Sequence, residues 1–180
     1  MDILNVRRVG NNNIIFYSDV SMESALEFNA ILLGIITDMK CDSNIEPIIT
    51  IHIYSHGGDY NAAVAMADMI RIYVEGGLQI DTIVEGTAAS GASMMTLFAT
   101  NKYITKHSNM LMHYSKNYYE GEYPIAEFVN NSKNIDKVIF DMYKSKLKVD
   151  DKKLHELLMT NQRNISAKEC LRIGLVDKIL

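Results

Sequence analysis

Two apolar strands of this chain run straight into glycine-rich turns that open helices, and this arrangement narrows the possible folds most. The first is Ile48-Ile49-Thr50-Ile51-His52-Ile53-Tyr54, rich in β-branched residues, which ends in Ser55-His56-Gly57-Gly58. A helical pattern follows through Ala62, Ala65, Met66, Met69 and Ile70. After a Gly76-Gly77 turn comes the second strand, Ile80–Val84, which leads into Glu85-Gly86-Thr87-Ala88-Ala89-Ser90-Gly91-Ala92-Ser93 and a short apolar helix, Met94–Ala99. Upstream, a strand at Asn13–Tyr17 precedes an amphipathic helix from Ser21 to Met39 that carries Ala25, Phe28, Ile31, Leu32 and Ile35 on one side. Ser21 suits the N-cap, and Glu23 suits the positive end of the helix. Ser24 stands where a capping box would take Glu or Gln, so the full box is not expected. Strand and helix alternate twice, which predicts an α/β fold of parallel βαβ units with right-handed connections.

The remainder predicts strands at Lys102–Thr105 and Asn109–Tyr114, then a long helix from Pro124 to Leu147 with Pro124 in its first turn. Helices at Asp150–Met159 and Ala167–Ile173 follow, closed by Gly174 and a strand at Leu175–Ile179. No repeat, linker or low-complexity tract divides the chain. Its 180 residues suffice for one core, so residues 1–180 read as a single domain.

Charge excludes some partners. With 18 basic against 22 acidic residues there is no footprint for nucleic acid. The densest basic stretch, Lys144, Lys146 and Lys148, is interrupted by Ser145 and Leu147 and reads as the wet side of a helix end. Cys41 and Cys170 lack the spacing of a metal or redox pair, and a reducing compartment suits them better than a disulfide. No cofactor or metal is expected. The N-terminus lacks the order of a signal peptide, and no apolar run reaches the roughly 18–20 residues of a membrane helix. No membrane association is expected, and the expected location is the cytoplasm.

Ligands of open α/β sheets bind beyond the strand C-termini, where both glycine-rich turns would lie. Backbone N–H groups and helix starts converging there are the equipment for stabilising an oxyanion. Ser90 sits among Ala88, Ala89, Gly91 and Ala92, and such small neighbours let a carbonyl approach its hydroxyl. The same residues would equally serve tight helix–strand packing. Ser93, the competing hydroxyl, is expected to pack or cap. A serine also needs a base. His52 falls inside a strand, His155 among helix charges and His107 in an exposed turn. That leaves His113, at the end of the apolar strand Met110-Leu111-Met112, with His56 in the glycine turn as the alternative.

Four segments taken in order resemble the proteolytic subunit of the Clp protease, a serine peptidase with the ClpP/crotonase fold. Gly86–Ser93 is similar to that family's Gly-x-Ala-Ala-Ser nucleophile turn. Met110-Leu111-Met112-His113 resembles the strand that ends in its catalytic histidine. Ile53-Tyr54-Ser55-His56-Gly57-Gly58 resembles its Asn-Ser-Pro-Gly-Gly turn, and Ile165–Ile179 follows its Leu-Ser-Ala…Gly-Leu-Val-Asp-x-Ile ending. The resemblance runs from Ile14 to Ile179. It implies Ser90 as nucleophile, His113 as general base, and the N–H groups of Gly58 and Gly91 as the oxyanion hole. The long helix would be the protruding handle, and Lys116–Glu122 would lie along an extended polypeptide substrate. The implied partners are copies of the chain, in heptameric rings stacked as a tetradecamer, and a Clp-type AAA+ unfoldase.

Three departures accompany the resemblance. The third triad position, usually Asp and occasionally Asn, falls on Gln162 with Asn161 adjacent. An amide can orient an imidazole but offers no charge to the imidazolium. In the serine-protease triad the Asp-to-Asn exchange lowers turnover about 10⁴-fold, although papain-like sites work with Asn. Reduced activity is therefore expected. Thirteen residues precede Ile14, fewer than the family's axial loop and first helix require. His56 replaces the usual Pro, with an exposed turn expected there. The alternatives are a catalytically silent ring subunit, a phage prohead-type serine protease and, last, an acyl-CoA-binding crotonase.

Overall fold

The computed structural model describes residues 5–42, 44, 46–115, 124–160 and 163–180. Strands β1 (Val6–Val9) and β2 (Asn13–Phe16) form an antiparallel hairpin, which α1 (Met22–Cys41) leaves. Strand β3 (Ile48–Ser55), helix α2 (Tyr60–Glu75) and strand β4 (Gln79–Ala89) follow, with β2–β3 and β3–β4 both parallel. After α3 (Gly91–Met94) come β5 (Asn101–Ile104) and β6 (Asn109–Leu111). The chain ends with α4 (Ile125–Lys144), α5 (Asp151–Met159), β7 (Ile165–Ser166), α6 (Ala167–Ile173) and β8 (Lys178–Ile179). The main path of the sheet is β1-β2-β3-β4-β5-β8, and β6 branches off β4 to pair with β7.

Alternation along β3 explains why it folds where it does. Ile49, Ile51 and Ile53 are fully buried, while Thr50, His52 and Tyr54 between them point the other way. Phe28, Leu32 and Ile35 of α1 and Ala63, Met66 and Ile70 of α2 share the same core. Phe16 of β2 meets Phe28 edge-on, with ring centroids 6.1 Å apart. The first turns of α4 stand clear of this core, with Ile125 and Val129 exposed. Only Ile139 and Tyr143, near its end, are buried.

Several details correct the expectations. Ser24 does complete a capping box: its Oγ accepts the Ser21 N–H at 2.9 Å, and Ser21 Oγ accepts the Ser24 N–H at 3.2 Å. A serine hydroxyl close to the backbone thus does what a longer Glu or Gln usually does. Ala65 is exposed, and Ala63 and Ala67 take the buried positions of α2. The second of the two strands continues to Ala89, and α3 stops at Met94 in place of a helix over Met94–Ala99. Pro124 occupies the N-cap of α4, just outside the first turn. Strands β1 and β7 were not expected. Arg7 and Arg8 give β1 no apolar alternation, and β7 has two residues. Cys41 and Cys170 are both free thiols, and burial pushes the Cys170 pKa up to about 12.

Candidate active site

Strand β4 belongs to two ladders in succession. Asp81–Val84 pairs with β5, and Thr87–Ala89 pairs with β6. Between them, Gly86 takes a positive φ of 83°, and its N–H is held by Ser108 Oγ at 2.6 Å. The ladder to β6 runs on past the strand end, since Ser90 N–H donates to the Leu111 carbonyl at 2.7 Å. Met110 and Met112 are buried, so alternation sends the His113 side chain the other way. Ser90 and His113 thereby face one cavity of about 470 Å³, which Gly58, Gly91 and His56 also line.

Ser90 has φ 53° and ψ −127°, the one positive φ at a non-glycine among the described residues. Such a backbone costs about 1–3 kcal/mol and is met where function needs it. Glycine is required opposite. A Cβ on Gly57 would stand 2.7 Å from Ser90 Cβ and 2.5 Å from the Ala89 carbonyl oxygen, so the two turns are in direct contact. Val20 clips the glycine turn from its other side, donating its N–H to Gly57 O and accepting the Asp59 N–H, each at 2.8 Å. Gly58 between them is passed over. Its N–H has no acceptor among the described residues, and neither has that of Gly91 in the first turn of α3. The Asp59 carboxylate, also at the cavity, caps α2 by accepting the Ala62 N–H at 2.8 Å.

His113 Nδ1 is bonded to the carbonyl oxygen of Tyr114. A carbonyl can only accept, so Nδ1 carries the proton and Nε2 is left with its lone pair. That is the tautomer a general base needs. The segment beyond is anchored from two helices: Tyr114 N–H donates to Leu158 O at 3.0 Å, and Ser115 N–H and Oγ–H donate to Asp136 Oδ1 at 2.9 and 2.8 Å. The Tyr114 hydroxyl meets His155 Nδ1, and the His155 ring stacks on Phe140 at 4.4 Å. No hydrogen bond joins Ser90 Oγ to His113 among the described residues, although both line the cavity.

The other sequence candidates fall elsewhere. His56 lines the cavity but is exposed and packs edge-on against Tyr54. His52 pairs with Glu85 at 3.0 Å. Burial works to raise the Glu85 pKa, yet hydrogen bonds from Tyr17 and His52 bring it below the ordinary carboxylate value. His107 lines a separate groove beside Lys106 and Lys168. Ser93 is buried, with Oγ 2.7 Å from the Ser90 carbonyl oxygen and 2.5 Å from the Tyr143 hydroxyl. Gln162, Asn161 and Lys116–Glu122 lie outside the described residues. Among the described residues, no group of three His, Cys, Asp or Glu side chains stands together as a metal would require. Sequence reasoning missed two contributions. The Tyr114 carbonyl belongs to the main chain and has no residue-type signal. Tyr143 lies 50 residues beyond its partner Ser93, with no motif to connect them.

The profile of the family described as Clp protease matches residues 4–180. Among solved structures, a mutant of ClpP1 from Listeria monocytogenes superposes with a TM-score of 0.74 at 19% identity, covering 94% of this chain and 91% of that chain. That likeness concerns the fold. No curated protein matches the sequence. Among the described residues no helix is long and apolar enough to cross a membrane.

Proposed function

The chain belongs to the Clp protease family, and from that premise we propose that it is a serine endopeptidase acting on unfolded polypeptides. One observation carries the reading. The strained serine, an imidazole with Nε2 unprotonated and two main-chain donors without an acceptor among the described residues surround a single cavity. When a peptide fills that cavity, Ser90 Oγ attacks the scissile carbonyl carbon and its proton passes to His113 Nε2. The oxyanion is received by the N–H groups of Gly58 and Gly91. The tetrahedral intermediate collapses, the C–N bond breaks, and His113 returns the proton to the departing amine. Water then attacks the acyl-enzyme, giving its proton to the same nitrogen, and the ester C–O bond breaks as His113 passes that proton to Ser90 Oγ, which restores the free enzyme. The contact between serine and histidine closes on binding, as catalytic hydrogen bonds often do.

Gln162, with Asn161 as its alternative, is proposed as the third member, an amide whose oxygen shares with the Tyr114 carbonyl the Nδ1 proton of His113 and so orients the ring without charge. Its effect can be read in the pH profile. Gln162→Asp adds a negative charge that favours the imidazolium, which raises the histidine pKa. The acid limb of kcat/KM is then expected to move to higher pH. An unmoved limb assigns no role at His113 to this position.

By the same premise the proposed assembly is heptameric rings stacked as a tetradecamer and fed by an AAA+ unfoldase. The exposed, projecting start of α4 supports a handle between rings. The deciding experiment is labelling with a fluorophosphonate and peptide mapping. A modified Ser90, with labelling abolished by His113→Gln, is the expected result. Because the third position lacks a carboxylate, a silent ring subunit is the second reading. An unlabelled Ser90 in the assembled protein would establish it and overturn the first.

A further inference from the structure

The hydroxyl of Tyr143 is buried where α4 closes the cavity, and Ser93 Oγ is its partner at 2.5 Å. Ser93 Oγ lies in turn 2.7 Å from the carbonyl oxygen of Ser90. Counting protons gives this chain a direction. The carbonyl only accepts, so the Ser93 proton goes to Ser90 and the phenol donates to Ser93. Burial pushes the Tyr143 pKa up, which keeps the phenol protonated and donating at any working pH. The same carbonyl also accepts the Ser93 N–H at 3.0 Å.

The peptide unit that carries the Ser90 oxygen has the Gly91 N–H at its other end. Peptide units are planar, so holding the oxygen aims the N–H. Hydrogen bonds accepted by a carbonyl also polarise its amide and strengthen its N–H as a donor, and a chain of them does so cooperatively. This peptide follows the strained φ of Ser90, where rotation would relieve the strain if nothing held the oxygen. We propose that Tyr143 and Ser93 are positioning residues, a two-hydroxyl relay that locks the Ser90–Gly91 peptide and sharpens Gly91 N–H as the oxyanion donor. The proposal rests on the serine-peptidase reading and adds to it two groups that govern rate without meeting the scissile bond.

The test is steady-state hydrolysis of a fluorogenic peptide by the assembled protein and by Ser93→Ala, Ser93→Thr, Tyr143→Phe and the Ser93→Ala/Tyr143→Phe double variant. Deleting an oxyanion donor outright costs about 10²–10³ in kcat, so weakening one by Ser93→Ala is expected to cost about tenfold. KM stays near the wild-type value, because the oxyanion exists only after attack. Tyr143→Phe costs less than Ser93→Ala, and the double variant no more than Ser93→Ala, since the hydroxyls act in series. Ser93→Thr, which restores a hydroxyl, restores kcat. A peptidyl boronate, whose adduct with Ser90 places an oxygen in the hole, loses affinity by the same factor as kcat. A Tyr143→Phe protein too unstable to assay leaves the decision to the Ser93 pair. Unchanged kcat in Ser93→Ala, a loss confined to KM, or independent losses that multiply in the double variant would overturn the relay. Those results in an active wild type defeat the relay alone. A wild type that neither hydrolyses peptide nor takes the fluorophosphonate defeats the peptidase reading, and the relay with it.

Discussion

Ser90→Ala is expected to abolish peptide hydrolysis, lowering kcat by about 10⁶-fold, the loss seen when a triad nucleophile is removed. Among the described residues the other serine at the cavity, Ser115, donates its hydroxyl to Asp136 Oδ1. Ser93, the nearest alternative, is fully buried with its proton committed to the Ser90 carbonyl. Stability should not fall, because Ser90 makes no side-chain cap to α3, and alanine lightens the residue without opening the core. The measurement is turnover of a fluorogenic peptide alongside thermal unfolding. Hydrolysis within about tenfold of wild type would mean that some other group performs the attack.

Gly57→Ala is the second large effect, and it tests the contact between the two turns. The new methyl would lie 2.7 Å from Ser90 Cβ and 2.5 Å from Ala89 O, closer than real Cβ atoms come. Its φ of 93° is also hostile to an L side chain. The turn that carries Ser90 must therefore move, and misplacing a reacting atom by about 1 Å costs on the order of 10² in rate. Backbone strain adds roughly 1–2 kcal/mol of lost stability. Gly10→Ala is the control. It too has a positive φ, 63°, but nothing lies within 4 Å of its Cβ. It should lose a comparable strain energy in thermal unfolding and keep full turnover. Equal kcat in the two variants would refute the idea that Gly57 makes room for the serine.

The legible parts of this fold are those where side-chain chemistry and local geometry coincide. The run of isoleucines in β3 and the glycines after it announced a buried strand and a turn because each requirement falls on residues adjacent in sequence. The same holds for the small residues around Ser90 and the apolar strand before His113. What escaped notice depends on pairing at a distance or on the main chain. The switch of β4 between partners leaves as its only local trace Gly86, which looks like part of a loop. The capping box was missed because a rule written for Glu or Gln overlooks a hydroxyl close enough to reach the same N–H. The hold on His113 by Tyr114, and on the Ser90 carbonyl by Ser93 and Tyr143, joins groups whose meeting is decided by tertiary packing.

That Ser90 N–H closes onto Leu111 O has an evolutionary consequence. The spacing between serine and histidine is fixed by rungs of amide bonding, which are blind to the side chains borne by the rails. Substitution of the surrounding side chains can therefore proceed a long way and still leave the two residues aligned, so long as the ladder itself is kept.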